Sequence, residues 1–454
     1  MKIQSFLPIV AVVLCCAQTP PAQQPVFTIL YSPTSPDAVG GDPTELFEAK
    51  PGLLYVLGQL MNNVHGSSVF SLASGGVFSP IYSLPAVTIS AAFAQSADSS
   101  IYEPAFLGDT VKGNGGYYIS FNLNGGGLQK YDPPSEWQSG MQIISAPPGV
   151  FYDILGHPQS GTAPELWALG RIDVNGSVTI VHQFSGTDGA PTGSNIVYGP
   201  DGNIYGVGNQ QHGGVSPGFI YRITPTGAYS QVVALPSVSF KGTLPLLAAS
   251  DGNLYGSFEY AGTNNTGMIY QVALDGKFQV VANFPSTGMI QPMTLMEASD
   301  GNIYGSSNSN YIFRYNMATQ QLSSIYVMNP SGSQGHCGCQ MIQGINGKIY
   351  GAAEAGGKIG IGTVFSLDIG LPAPKPRISQ MIPAAAPVGQ KILLWGQYLL
   401  GVTSVSFNGV PAASVQGTTG QNVYATVPVG ATTGPITLTT PNGSVTTTQD
   451  FVVQ

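Results

Sequence analysis

Histidine is the residue type in this chain that could most readily support acid–base or metal chemistry near neutral pH. His65, His157 and His212 each follow a repeated tyrosine by 5 to 10 positions. If these three imidazoles converged on one surface, they could bind a metal ion or transfer protons. A loop histidine more often faces solvent, however, and the sequence contains no nucleophile-elbow, phosphate-loop or zinc-protease motif. Catalysis is therefore the alternative hypothesis here.

Residues 336–339 (HCGC) form the one cluster in the sequence that combines histidine with cysteine. A closed structural zinc site needs four ligands in tetrahedral positions, and no second pair of ligands accompanies this cluster. In an exported protein, Cys337 and Cys339 are better explained as a disulfide or as two free thiols. The sequence therefore predicts neither a metal site nor another cofactor.

Aromatic residues outside the repeated positions are the candidates for ligand contact, because their rings offer large surfaces for stacking. Trp137 lies in a polar stretch, and Tyr260 follows the repeated Tyr255 by a few positions. Trp167 is a weaker candidate, because residues 166–169 (LWAL) stand where a strand of the repeat is expected. We group these aromatic residues with the three histidines as candidate ligand-binding residues.

A repeated six-residue phrase must position all of these side chains. It reads DGNIYG at 201–206, DGNLYG at 251–256, DGNIYG at 300–305 and NGKIYG at 346–351. Three degenerate copies precede these four. The steps between successive tyrosines run from 46 to 53 residues. Because one strand position recurs, we expect these tyrosines to pack between repeats. They are Tyr55, Tyr102, Tyr152, Tyr205, Tyr255, Tyr304 and Tyr350.

The repeat predicts an all-β fold made of short antiparallel strands. Asp-Gly or Asn-Gly between two apolar strand formers is a strong hairpin signal, since a tight turn needs positive φ values. This turn chemistry also accounts for the repeated aspartates without a calcium site. Four short strands in each period of about 40 to 50 residues are typical of a β-propeller blade. The sequence therefore predicts a seven-bladed β-propeller over residues 23–370.

The two ends of the repeat array complement each other. Residues 27–32 (FTILYS) read as a strand without a preceding repeat, and the last repeat lacks a strand after residues 363–367. An N-terminal strand that completes the last blade would close the ring and remove exposed sheet edges. We expect this closure, followed by a Pro-rich linker at residues 371–375 and a small β-sandwich at residues 376–454.

Two resemblances to known families rest on these residues. The DGNLYG phrase and its period resemble the GloVer repeats of secreted bacterial proteins, most clearly in the last four copies. The C-terminal region is similar to an IPT/TIG domain, which is an Ig-like sandwich. The matching segments are 376–378 (PRI), 387–389 (PVG), 395–396 (WG), 405–412 (VSFNGVPA), 425–428 (ATVP), 434–436 (GPI) and 451–453 (FVV). Both resemblances imply a secreted or surface binding module and no fixed reaction.

Residues 1–22 are predicted to be a signal peptide. A lysine at position 2 precedes the apolar run 6–16 (FLPIVAVVLCC), which is too short to span a bilayer. A lipid anchor on Cys16 is the less favoured alternative, because Cys15 stands where Gly, Ala or Ser is usual. No later segment is apolar for 18 residues, so no transmembrane segment is expected. These features predict a secreted, periplasmic or surface-attached bacterial protein.

Composition and net charge argue against polyanionic partners. The formal net charge is −8, only 8% of the residues are charged, and the 14 lysines and arginines are scattered. Such a chain lacks the basic surface that nucleic acid or an anionic membrane would require. We expect a monomer that binds a polysaccharide or a surface protein through a propeller face or channel. The alternatives are a glycan-directed lyase or hydrolase and a structural surface spacer.

Overall fold

A computed structural model gives the fold, and every regular element among the residues that it describes is a β-strand. No helix capable of crossing a membrane occurs among the described residues. The described residues are 24–35, 43–60, 66–85, 87–89, 94–95, 100–107, 116–140, 143–147, 149–157, 166–209, 218–236, 246–329, 334–336, 340–353, 355–417 and 419–454. The predicted signal peptide, Cys16, His65, His212, Cys337 and Cys339 lie outside them. The all-β prediction is confirmed.

Small antiparallel sheets follow one another through the first four fifths of the chain, after strand β1 (Val26–Tyr31). Sheet one comprises β2 (Pro43–Lys50), β3 (Leu53–Leu60), β4 (Gly66–Ala73) and β5 (Phe78–Pro85). Sheet two comprises β6 (Val87–Ile89), β7 (Ala94–Gln95), β8 (Ser100–Leu107), β9 (Tyr117–Asn122) and β10 (Gln129–Tyr131). Sheet three comprises β11 (Ile143–Ala146), β12 (Val150–His157), β13 (Leu166–Ile172) and β14 (Val178–Gln183).

The later sheets repeat the same hairpin-connected order of four strands. Sheet four comprises β15 (Ala190–Tyr198), β16 (Ile204–Asn209), β17 (Gly218–Ile223) and β18 (Tyr229–Ala234). Sheet five comprises β19 (Leu247–Ala248), β20 (Leu254–Phe258), β21 (Met268–Val272) and β22 (Phe278–Asn283). Sheet six comprises β23 (Pro292–Glu297), β24 (Ile303–Ser307), β25 (Tyr311–Asn316) and β26 (Gln321–Val327).

Sheet seven combines the two ends of this region. It contains β27 (Gln340–Gln343), β28 (Ile349–Ala353) and β29 (Thr363–Asp368), and β1 pairs antiparallel with β29 at its edge. Phe27 of β1 stacks on Phe365 within the sheet at 4.8 Å and on Tyr326 of sheet six at 5.1 Å. The N-terminal strand therefore covers an edge of β29 that would otherwise expose its unpaired backbone groups.

Hydrophobic clusters fill the spaces between consecutive sheets. One cluster joins each sheet to the next, from sheets one and two through to sheets six and seven. A further cluster joins sheet seven to sheet one, where Tyr350 and Val364 pack with Leu54 and Phe70. The described sheets thus follow each other in a closed cycle, and each one buries both of its faces.

The last glycine of the repeated phrase makes room for an aromatic ring on the next strand. A Cβ atom on Gly256 would lie 2.2 Å from the Tyr270 hydroxyl oxygen, and one on Gly351 would lie 2.3 Å from the Phe365 ring. Any other residue at these positions would displace a fully buried ring. The glycine therefore reflects close packing within a sheet as well as turn chemistry.

The C-terminal region forms a separate group of sheets with its own core of apolar residues, which includes Leu394, Phe407 and Phe451. One sheet has the order β30-β32-β36-β35, one has β34-β33-β37-β38, and β31 pairs parallel with β39. The strands are β30 (Arg377–Ile382), β31 (Ala385–Ala386), β32 (Lys391–Gln397), β33 (Ser404–Phe407), β34 (Val410–Pro411), β35 (Ser414–Gln416), β36 (Asn422–Thr426), β37 (Ile436–Thr440), β38 (Gly443–Thr446) and β39 (Val452–Val453).

Candidate functional site

The repeated aspartate carboxylates accept hydrogen bonds from residues within their own Asp-Gly-Asn-x-Tyr turns. In sheet five, the Asp251 carboxylate accepts hydrogen bonds from the Asn253 backbone at 3.0 Å, from its side-chain amide at 3.0 Å and from the Tyr255 hydroxyl at 2.8 Å. The copies that begin at 201 and 300 have the same arrangement. These aspartates therefore order the turn and anchor the tyrosine.

In six of the sheets, the repeated tyrosine lies on the second strand. Six of them are almost completely buried in the clusters between consecutive sheets, and Tyr102 lies in β8. Burial, followed by the hydrogen bond to Asp201, raises the pKa of Tyr205 to about 12. Their surroundings indicate a packing role. The buried tyrosines are Tyr55, Tyr152, Tyr205, Tyr255, Tyr304 and Tyr350.

The sheet order gives the cycle two distinct ends. Because consecutive strands are antiparallel, the turns between first and second strands and between third and fourth strands lie at one end, which we call the turn end. The connections between second and third strands, and between successive sheets, lie at the other end, which we call the loop end. His157, Trp137 and Tyr260 all fall at the loop end.

The C-terminal region contacts the turn end on opposite sides of the cycle. The Asn442 side chain donates a hydrogen bond to the Ile345 carbonyl of the sheet-seven turn at 2.6 Å. The Tyr398 hydroxyl donates to the Glu297 carbonyl of sheet six at 3.4 Å. Across the cycle, Gln380 donates to the Tyr198 hydroxyl of sheet four at 3.3 Å.

A further contact extends this docking to sheet three, where Ser145 hydrogen-bonds to Gln421. Sheets three and six are three steps apart, which is the largest separation that a cycle of seven allows. Gln421 contacts sheet three and Tyr398 contacts sheet six, so the C-terminal region extends across the turn end.

A cleft of about 350 Å³ lies where the C-terminal region meets sheet six. Ser299, Tyr398 and residues 372–375 and 377 line it. Arg377 lies 3.8 Å from the Glu297 carboxylate, so its charge is partly neutralised there. This cleft belongs to the joint between the two regions.

Two of the predicted site residues meet at the boundary of sheets two and three. The Trp137 and His157 rings make an edge-to-face contact with centroids 5.6 Å apart. Trp137 is only 8% exposed and belongs to the cluster between those sheets. Trp167 lies in β13, opposite Gly156, and packs on the cluster between sheets three and four. Both tryptophans are therefore placed for packing, and the polar sequence around Trp137 did not reveal this burial.

Tyr260 lies apart from that pair, in the sheet-five loop on the other side of the cycle. Apart from the contact between Trp137 and His157, the structure does not bring the described candidate residues together. Within the described part of the chain, no group of three or more His, Cys, Asp and Glu residues is close enough to hold a metal ion.

A buried carboxylate that the sequence analysis missed joins sheets two and three. Asp153 is fully buried and accepts hydrogen bonds from the Tyr118 hydroxyl at 3.0 Å and from the Gly140 backbone at 2.7 Å. Burial and the nearby Asp153 charge raise the pKa of the Tyr118 hydroxyl well above its ordinary value. The sequence did contain a signal, because Asp153 occupies the glycine position of the repeated phrase.

A second missed group joins sheets three and four. His182 lies 3.2 Å from the Asp188 carboxylate and 3.2 Å from the Gly227 carbonyl, and its ring stacks on Tyr229. Both ring nitrogens therefore face an acceptor oxygen. These half-buried contacts of His182 hold sheets three and four together.

Sheets five and six carry a polar surface at the loop end, which we call the amide platform. Its members are Asn264, Asn265, Gln291 and Asn308. The backbone of Gln291 links the loops, donating to the Thr266 carbonyl at 2.6 Å and accepting from the Asn308 amide at 2.9 Å. The Asn308 side chain also donates to the Gln291 side chain at 3.0 Å.

The platform has an unusual backbone. Asn265 and Gln291 have φ values of 54° and 57°, and the adjacent Asn310 has 67°. Residues other than glycine rarely adopt this left-handed conformation, which costs roughly 1 to 3 kcal/mol and clusters at functional sites. Hydrogen bonds to Phe284 and Pro285 hold the sheet-five loop in place. The platform is therefore a preformed surface.

The comparisons with known proteins support the repeat and the fold. Residues 138–311 match the model of the Gloeobacter/Verrucomicrobia repeat family, which confirms the repeat character of this region. No curated protein matches the sequence. The resemblance of residues 376–454 to IPT/TIG domains stays a prediction.

Several solved structures share the fold at low sequence identity. Two extracellular domains of B. thetaiotaomicron, from a hybrid two-component system and a one-component system, are each 12% identical with TM-scores of 0.50 and 0.51. The alignments cover 94% of this chain but only 57% and 52% of theirs. A fungal alcohol oxidase solved with copper is 13% identical with a TM-score of 0.50, covering 91% of this chain and 100% of its own. Identities this low show a shared fold alone.

Proposed function

We propose that this chain is an exported, non-catalytic binding protein that holds a polysaccharide or a surface protein at its loop end. In this proposal the cycle of sheets is a seven-bladed β-propeller over residues 23–370, closed by β1. Residues 371–375 are the linker, residues 376–454 form an Ig-like IPT/TIG domain, and residues 1–22 are a signal peptide. The match to the repeat family and the extracellular neighbours support this reading.

The observation that carries the proposal is the position of the C-terminal region. It occupies the turn end through contacts with sheets three, four, six and seven. A ligand of the ring must therefore approach the loop end, where connecting segments can vary without disturbing the sheets. The amide platform supplies a preformed polar surface at that end.

A binding screen tests the function directly. The purified protein is applied to an array of neutral, uronate-containing and sulfated glycans and, separately, to intact bacterial surface proteins. Saturable binding that falls on Tyr260→Ala, and not on a turn-end substitution, supports the proposal. Binding that survives every loop-end substitution and falls on turn-end substitutions would contradict it.

The same array separates binding from catalysis. Shortened products released from any glycan would establish a lyase or hydrolase in place of the non-catalytic binder. Failure to bind any glycan or surface protein would refute the proposed function and favour a structural spacer.

A further inference from the structure

We infer that the amide platform is a binding site for a neutral, hydroxyl-rich oligosaccharide. This inference rests on the proposed binding function and adds the location and the chemical class of the ligand. It starts from the side-chain amides of the platform, which are concentrated where three loop segments meet.

Two amides retain most of their hydrogen-bonding capacity. Asn264 donates one bond to the Phe284 carbonyl at 3.0 Å, and Asn308 donates one to Gln291. Neither makes another side-chain hydrogen bond to the described residues, and both are exposed. An asparagine side chain offers two donor hydrogens and a carbonyl acceptor, a combination that complements neighbouring sugar hydroxyls.

The platform is nearly uncharged. In the segments 259–267, 285–292 and 307–311, Glu259 is the one ionisable acid and no Lys or Arg occurs. An acidic polymer would find no cation for its carboxylate or sulfate groups, whereas a neutral sugar needs none. The absence of basic residues from these segments therefore favours a neutral oligosaccharide over an acidic one.

Aromatic rings flank the amides. Tyr260 lies in the same loop as Asn264, Tyr311 directly follows Asn310, and both tyrosines are half-buried. A Cβ atom on Gly288 would lie 3.3 Å from the Tyr311 hydroxyl oxygen, which places that hydroxyl beside the segment linking sheets five and six. Partly exposed tyrosines supply an apolar face and a polar tip, which suits the C–H faces and hydroxyls of a sugar ring.

A protein partner fits this surface less well. Protein interfaces are enriched in arginine, methionine and large aromatic residues at their centres. None of the large hydrophobic residues that are exposed in the described structure lies in the platform segments. The surface instead presents short amides and hydroxyls on a fixed backbone.

The test compares platform variants with a matched control on the neutral, uronate-containing and sulfated glycan array. The platform variants are the double substitution Asn264→Ala with Asn308→Ala, and Asn265→Gly. Glycine accepts the positive φ of residue 265, so the second variant removes an amide without strain. Thr319→Ala is the control, because Thr319 is exposed on the same sheet six but at the turn end.

We expect a neutral oligosaccharide to bind the unaltered protein and the control equally. We expect the double variant to weaken its Kd by about tenfold or more. If both platform variants bind the oligosaccharide as tightly as the unaltered protein does, the ligand does not bind at the amide platform. The proposed binding function would then still stand. Binding of acidic glycans alone would overturn the ligand class, and an absence of all glycan and surface-protein binding would refute the proposed function itself.

Discussion

Two tyrosines of sheet five differ in one respect that stability measurements can resolve. Tyr255 donates its hydroxyl to Asp251 at 2.8 Å, and Gln271 donates to the same oxygen at 2.6 Å. Tyr270 is completely buried, and its hydroxyl finds no hydrogen-bond partner among the described residues. The same substitution, Tyr to Phe, should therefore have opposite consequences at the two positions.

The magnitudes follow from what each hydroxyl does. A hydrogen bond to a charged group contributes about 1.5 to 3 kcal/mol, but Asp251 is exposed, so we expect Tyr255→Phe to cost about 1 kcal/mol. Tyr270→Phe removes a buried polar group that no bond compensates, so its cost should be zero or slightly negative. Phe313 and Phe365 occupy the equivalent position in sheets six and seven, which shows that a phenylalanine ring fits there.

Thermal unfolding of both variants beside the unaltered protein tests this reasoning. We expect Tyr255→Phe to lower the melting temperature by roughly 2 °C and Tyr270→Phe to leave it unchanged or raise it slightly. Equal destabilisation by the two substitutions would refute the assignment of partners, because only the Tyr255 hydroxyl is hydrogen-bonded to a residue that the structure describes. Asp251→Ala should lower the melting temperature at least as much as Tyr255→Phe.

Three further predictions follow from other contacts. Burial raises the pKa of Tyr205 and Tyr229 to about 12, against about 10 when unfolded, so the folded state keeps protons that the unfolded chain loses. Stability should therefore fall as the pH rises from 10 to 12, and urea titrations at intervals of pH that show no fall would contradict this. Asp153→Ala should cost about 3 kcal/mol in a denaturant titration, because it leaves two buried donors unpaired, whereas Asp153→Asn should cost less. Asn442→Ala removes a hydrogen bond at 2.6 Å to the Ile345 carbonyl at the turn end and one at 3.1 Å to the Pro374 carbonyl of the linker, so limited proteolysis should cleave the 371–375 linker faster. An unchanged cleavage rate would show that other contacts suffice for docking.

The repeat made much of the architecture predictable because its information is local. An Asp-Gly turn, a tyrosine two residues beyond the Asn and a strand of five or six residues all lie within one hairpin, so the phrase identifies the hairpin directly. The pairing of β1 with β29 was also predictable, because each end of the array lacked the strand that the other supplied.

The candidate site was less predictable. Trp137 stands in a polar stretch, yet it is buried, because its burial depends on β9 and β12 of different sheets. The sequence analysis did not identify Asp153 or His182 as candidate residues, because they have partners on neighbouring sheets. The amide platform likewise assembles from three separate segments, and only Tyr260 beside it was singled out in advance.

The sequence alone determined that this protein is all-β, repetitive and built from hairpins with Asp-Gly or related turns. These properties arise from backbone preferences and from contacts between residues that are close along the chain. Only the tertiary structure decided which end of the cycle the C-terminal region contacts, because Asn442 and Gln380 reach sheets that lie about 100 and 180 residues earlier. Such contacts depend on how whole sheets pack, and no local pattern encodes them.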